Sequence, residues 1–254
     1  MASSESRRRK QLEKKKKKRN EKRHEIVVRR NAGLADLLLA RAKAPILECF
    51  VSGDLNRGGL GEVLIARRST SGEIALGLFL VDRYCMGVKD CFGRLLSGSK
   101  YAEFKEGMRL KGRNLQKIDA SSARRLVDDA VAYAENLGIK PHADFRAARI
   151  VLGDIDPSTA KQLFEMGKDG KPFFISGPFQ SQAECRTIVA KLTAKCGVDG
   201  FHYMLGMDLG HETLAGPHFD ELSFDDDDAD DMDVEDDDDP DESESTHFLD
   251  ARQL

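Results

Sequence analysis

The amino-acid sequence predicts an α+β fold: an antiparallel β-meander of three or more strands, followed by helix–strand–helix–strand elements packed on it. Three β-prone runs follow one another in the first half, helical and strand patterns alternate in the second half, and both ends are low-complexity charged segments. We therefore expect a disordered basic arm over residues 1–30, a single α+β domain over residues 31–219, and a disordered Asp/Glu-rich tail over residues 220–254.

The first half of the domain predicts a short helix and then three strands. A leucine-rich segment, residues 31–43, has the spacing of an amphipathic helix that ends before Pro45. The strand-like runs are residues 46–51 (ILECFV), 61–68 (GEVLIARR) and 73–85 (EIALGLFLVDRYC). The third run is the most hydrophobic and is expected to be the central strand. Because Ser71-Gly72 between the second and third runs predicts a hairpin turn, an antiparallel meander is the simplest assembly.

The second half of the domain predicts alternating helices and strands. Residues 121–137 give the clearest helical pattern, because hydroxyl side chains precede an apolar stripe that ends at Gly138. The other predicted elements are a shorter helix over 142–152, a strand over 172–176, a second clear helix over 181–196 and a strand over 201–205. Only residues 100–119 resemble a linker. That segment is short and has apolar residues of its own, so one domain is expected rather than two.

Composition bounds the class of protein. No stretch approaches the roughly 20 apolar residues that span a bilayer, and no apolar segment follows the positive charges of the N-terminus as in a secretory signal. The five cysteines are an odd number in apolar surroundings, which is typical of free thiols in a reducing compartment. We therefore expect a cytoplasmic protein without a membrane partner. The cysteines are Cys49, Cys85, Cys91, Cys185 and Cys196.

The two ends of the chain carry opposite charge. Residues 1–30 have fourteen Lys/Arg and four Glu, a net charge of +10, whereas residues 220–254 have eighteen Asp/Glu and one Arg, a net charge of −17. A polycation of this kind binds phosphate backbones by releasing counterions, so the arm predicts binding of nucleic acid or a ribonucleoprotein. The alternative interpretation is a solubility tail. The residues expected to contact nucleic acid are Arg7, Arg8, Arg9, Lys10, Lys14, Lys15, Lys16, Lys17, Lys18, Arg19, Lys22 and Arg23.

The segment LVDRYCMGVKD, residues 80–90, is the best candidate for an active site, because it carries several reactive groups out of the predicted central strand. Asp82 could act as a base, and Cys85 as a nucleophile if its pKa were lowered. Lys89 could anchor an anion, with Asp90 beside it. The alternative interpretation is structural: a buried cysteine, an aspartate that caps the turn and a surface lysine.

Other catalytic and metal-binding motifs are incomplete. Residues 58–77 are similar to the glycine loop and first strands of a protein kinase, but Gly77 stands where the nucleotide-binding lysine is needed, and no HRD-like or DFG-like motif follows. One loop has groups that could coordinate a cation, but most loop clusters of this kind are simply polar, so neither a metal nor a cofactor is expected. That cluster consists of His211, Glu212, His218 and Asp220.

Part of the domain resembles a group of bacterial proteins. The run ECFVSGD…GEVLIARRSTSGEIALGLFLVDRYCMGVKD, together with DIDPSTAKQLFEMGKDGKPFFISGPF, is similar to an uncharacterised bacterial protein family that shares an FLVDxYCxGVKD-like core. The similarity covers residues 45–206 and excludes both tails. That family has no known activity, so the resemblance implies that residues 45–206 act as one unit and implies no catalytic residues.

These observations predict a non-enzymatic module that binds nucleic acid or a ribonucleoprotein through the basic arm, with the acidic tail competing for the arm as an internal polyanion. Trp is absent and only four Tyr are present, which disfavours base stacking without affecting phosphate binding. Two alternatives remain open. One is an enzyme of unknown reaction that uses Asp82–Asp90 with His142 or His202. The other is a chaperone that binds basic proteins through the acidic tail.

Overall fold

A five-stranded antiparallel sheet organises the fold, which confirms the predicted α+β class. The computed structural model describes residues 33–53, 55, 58–178 and 180–205. The predicted disordered arm (1–30) and tail (220–254) lie outside these residues. The strands are β1 Ile46–Ser52, β2 Leu60–Arg68, β3 Ile74–Asp82, β4 Gly87–Leu96 and β5 Leu115–Lys117, and their order in the sheet is β4-β3-β2-β1-β5.

Helices and a smaller sheet complete the described part of the chain. The helices are α1 (33–39), α2 Gly98–Leu110, α3 Ala120–Asn136, α4 Phe145–Ala148 and α5 Gln182–Cys196, with 3-10 turns at Arg149–Leu152 and Pro157–Thr159. Two short strands, β6 Phe173–Ile175 and β7 His202–Met204, pair in parallel with α5 as the connection between them. The predicted alternation of helix and strand in the second half is therefore confirmed.

The meander forms as predicted and gains a fourth strand. Ser71-Gly72 is the β2–β3 turn: Gly72 has φ +86°, and the Ser69 N–H donates to the Glu73 carbonyl over 2.9 Å. The third run, predicted as the central strand over residues 73–85, forms β3, which ends at Asp82 and lies next to the edge strand β4, so that β2 is the middle strand. A second turn follows, and Gly87 at φ +66° starts β4, which pairs along the whole of β3.

Residues 100–119, the segment that most resembles a linker in sequence, hold most of α2 and all of β5. The Ser97 side chain caps the helix by accepting a hydrogen bond from the Lys100 N–H. The apolar side chains of the segment recur at the spacing of a helix and are buried on the sheet. They are Tyr101, Phe104 and Met108.

Paired glycines let the helical layer approach the sheet closely. Gly77 on β3 lies opposite Gly93 on β4. A Cβ at Gly77 would lie 2.4 Å from Val151 Cγ1, and a Cβ at Gly93 would lie 2.6 Å from Leu38 Cδ1 and 3.5 Å from Ala148 Cα. The position that lacks a kinase lysine is therefore a packing position, and α1 and α4 meet over the neighbouring glycine.

A second apolar cluster lies beside the main core. It joins the C-terminal end of α3, the face of α5 and the small sheet to the β3–β4 turn, and its members include Cys85, Ala134, Phe174, Cys185 and Leu192. The main core lies between the large sheet and α3, α4 and α1. Among residues 33–205 that the structure describes, no helix has both the length and the apolar character needed to cross a bilayer.

Candidate functional site

The β3–β4 turn holds the Asp82 carboxylate in a buried cap. Asp82 is the last residue of β3 and is 6 % exposed. Its Oδ1 accepts hydrogen bonds from the backbone N–H groups of Tyr84 (2.9 Å) and Cys85 (3.2 Å). Burial raises the pKa of Asp82, and the opposing effects of the Lys89 charge and these N–H donors do not reverse the shift. This geometry is the one that the structural alternative for the segment describes, an aspartate that caps the turn.

A β-bulge directs Lys89 toward this turn. Leu80 pairs with Asp90, but Val81 pairs with Val88, so Lys89 is an extra residue in β4. Its charge lowers the pKa of both Asp82 and Cys85 against the stronger effect of burial. The lysine also reaches the loop after β6, because a Cβ at Gly177 would lie 3.7 Å from Lys89 Nζ. The structure thus brings Asp82, Cys85 and Lys89 together.

Arg83, which the sequence analysis did not single out, anchors the same turn to two distant loops. Its Nε donates to the Leu55 carbonyl over 3.0 Å and its Nη1 to the Glu165 carbonyl over 2.7 Å. The backbone adds further bonds, since the Arg83 N–H donates to the Gly59 carbonyl and the Arg83 carbonyl accepts from the Gly167 N–H. No local pattern marks these contacts, because the partners are remote in sequence. The turn is therefore a junction between chain segments.

Cys85 is poorly suited to act as a nucleophile. It is 0 % exposed. Burial raises the pKa of its thiol far above the ordinary value, the Asp82 charge raises it further, and the Lys89 charge opposes both too weakly to matter. Since the thiolate is the reactive species, the thiol is inert at neutral pH.

The two candidate histidines do not complete a catalytic group at this turn. His142 Nδ1 lies 3.8 Å from Asp90 Oδ1, and its backbone N–H donates to the Val88 carbonyl. His202 stacks edge-on against Phe173, with ring centroids 6.4 Å apart. Within the described ranges, neither histidine forms a hydrogen bond with Asp82 or Cys85. Asp90 therefore belongs with His142 rather than with the other three candidate residues.

Thiol labelling checks this description. At pH 8 the native protein should label slowly at Cys85, and equally slowly at Cys49 and Cys91, because burial raises the pKa of each of the latter two thiols to about 12. Cys196, which is only partly buried, should label first. Unfolding in urea should expose all five thiols. Fast labelling of Cys85 in the folded protein would contradict the assignment and favour a nucleophile.

A groove on the opposite side of α3 is a second candidate site. It lies between α3, the following loop and α4, encloses about 580 Å³, and is named here the α3–α4 groove. Its defining residues are Val131, Glu135, Lys140, His142, Arg146 and Arg149. Phe145 forms its floor and packs edge-on against Phe79 of the sheet, with centroids 6.2 Å apart. Sequence reasoning missed the groove because its walls come from separate helices.

The predicted nucleic-acid contacts, Arg7 to Arg23, lie outside the described residues, as does the loop cluster around His211. Among the residues that are described, no group of three or more His, Cys, Asp or Glu side chains is placed to hold a metal ion. Comparison of the chain with protein families, with curated proteins and with solved structures gave no match.

Proposed function

We propose that the protein is a non-enzymatic module that binds nucleic acid or a ribonucleoprotein through its basic arm, residues 1–30. The observation that carries the proposal is the segregation of charge, a net +10 on the arm and −17 on residues 220–254. Lys and Arg side chains that neutralise phosphates release condensed counterions, and this release dominates sequence-independent affinity. The arm has the composition that this mode of binding requires.

The β3–β4 turn supports the same proposal because its reactive side chains have structural roles. Asp82 is occupied by backbone N–H donors and Cys85 is protonated, so these two groups hold the turn together. The alternative of an enzyme at this segment needs an activated base or nucleophile. In this proposal, these residues therefore stabilise the folded domain to which the arm is attached.

The acidic tail, residues 220–254, regulates the arm in this proposal. A tethered polyanion competes with nucleic acid for the same cations, so it suppresses weak, nonspecific binding more than strong binding. The family resemblance over residues 45–206 stays a prediction and adds no activity to the proposal.

Binding of a random-sequence DNA duplex and of a single-stranded RNA tests the function, with the intact chain compared with chains of residues 31–254 and 1–219. The chain without the arm should lose most of its affinity, and the chain without the tail should bind more tightly at low salt. Equal binding by the intact chain and residues 31–254 would contradict the role of the arm. If residues 1–219 bind no better than the intact chain, competition by the tail is wrong.

A further inference from the structure

The α3–α4 groove carries three cationic side chains. Lys140, Arg146 and Arg149 are all exposed, and within the described part of the chain none of them forms a hydrogen bond or an ion pair. The Arg149 guanidinium lies 5.4 Å from the centroid of the Phe145 ring, which holds it over the floor of the groove. By contrast, both arginines of α3 form ion pairs, Arg124 with Asp128 and Arg125 with Asp129.

The acidic groups of the groove do not cancel this charge. Asp128 is paired with Arg124 over 3.1 Å, so it is already neutralised. Glu135 is exposed on the α3 side and is one acid against three cations. His142 adds a polar ring at the loop. The groove is therefore a cationic recess with an apolar floor.

Helix α1 packs beside α4. Helix α1, whose first described residue is Gly33, buries Leu38 fully. Leu38 and Ala148 of α4 meet over Gly93, because a Cβ on that glycine would lie within 3.5 Å of both. At a rise of about 1.5 Å per residue, the first described residue of α1 is about 8 Å along the helix from Leu38.

We propose that the α3–α4 groove is a phosphate-backbone site for nucleic acid. Guanidinium groups bind phosphate oxygens with two parallel hydrogen bonds, and two arginines on one short helical segment can hold neighbouring phosphates. The floor is Phe145, already packed on the sheet, rather than an exposed ring that could stack on a base. The groove therefore contributes affinity and orientation without sequence preference. This inference rests on the proposed function and gives the folded domain a part in it.

Charge reversal in the full chain tests the groove. Arg146→Glu with Arg149→Glu should make the slope of log K against log salt shallower by about 2, measured between about 50 and 200 mM salt with the DNA duplex and the single-stranded RNA. The matched control is Arg186→Glu with Lys191→Glu, which changes the net charge equally on exposed positions of α5 that line no part of the groove. The control slope should equal that of the unmodified chain. A groove variant with the control slope would overturn the inference.

Additional variants distinguish a failure of the groove inference from a failure of the proposed function. The double variant Arg146→Gln with Arg149→Gln removes the phosphate contacts without adding negative charge. It should also make the slope of log K against log salt shallower by about 2, and it should unfold at the same temperature as the unmodified chain. If the intact chain binds through the arm but both groove variants behave as controls, only the groove inference fails. If the intact chain binds neither probe, the proposed function fails. The groove substitutions could also make the slope shallower in the intact chain but leave it unchanged in residues 1–219. That result would show that the groove binds the acidic tail, and it would overturn the inference.

Discussion

Replacing Gly153 by alanine should lower the free energy of unfolding by about 3–5 kcal/mol, from backbone strain and overpacking together. Gly153 ends the 3-10 turn Arg149–Leu152 with φ +50° and ψ −121°, a conformation that L side chains rarely adopt. A Cβ there would lie 1.9 Å from the Ala42 carbonyl oxygen, which is backbone and has little freedom to move. Urea denaturation followed by circular dichroism measures the loss.

Gly170→Ala is the matched control for this substitution. Gly170 also has a positive φ, +77°, but nothing lies within 4 Å of its would-be Cβ. Gly170→Ala should therefore lower the free energy of unfolding only through backbone strain, by about 1 kcal/mol. Equal losses at Gly153 and Gly170 would show that the contact with Ala42 does not constrain the fold.

Replacing Arg67 by methionine should lower the free energy of unfolding by about 3–5 kcal/mol, because buried carbonyl groups lose their donor. Arg67 is 2 % exposed on β2. Its guanidinium donates to the carbonyls of Val151 (2.7 Å), Leu152 (3.0 Å) and Ala44 (2.6 Å). Methionine fills a similar volume without a donor, so the loss reports these hydrogen bonds and the ion pair with Asp154 (3.0 Å) rather than a cavity. The same urea titration measures it.

Arg41→Met supplies the comparison. Arg41 donates from Nε to Glu73 Oε2 over 3.2 Å, but both side chains are partly exposed, so we expect a loss below about 1 kcal/mol. If Arg67→Met costs no more than Arg41→Met, the three carbonyls find water or other donors and the buried arginine is not a structural anchor.

Gly153 and Arg67 both lie where the segment between α1 and β1 packs against the 3-10 turn after α4. The segment between α1 and β1 supplies the Ala42 and Ala44 carbonyls, and the 3-10 turn after α4 supplies the other contacts. This junction holds the segment between α1 and β1 against the 3-10 turn that follows α4.

Much of the large sheet follows from local pattern, and the exceptions have identifiable causes. The strand β3 is a nearly continuous apolar run, and the turn before it needs a glycine at positive φ, so both could be read from the sequence. The strand β4 was missed because Lys89, Asp90 and Arg94 interrupt its apolar residues at the edge of the sheet. Helix α2 was missed although its buried residues recur at helical spacing, because its mean composition is polar.

For the candidate sites too, features that depend on local sequence could be predicted, and features that depend on tertiary packing could not. Asp82 and Cys85 could be placed together because they are close in sequence, and the local turn holds them there. The orientation of Lys89 depends on a bulge that only the pairing with β3 reveals. The α3–α4 groove depends on the packing of two helices across the sheet, which no local pattern encodes. Its signal in the sequence was limited to Arg146 and Arg149, three residues apart.

The most direct test of the central claim is the salt dependence of nucleic-acid binding by the full chain when Lys14 to Lys18 are replaced by glutamine. These five consecutive lysines are the densest charge in the arm. If the arm binds phosphates, the slope of log K against log salt should become shallower by about 4 with duplex DNA. An unchanged slope, with binding retained, would contradict a role for the arm in nucleic-acid recognition.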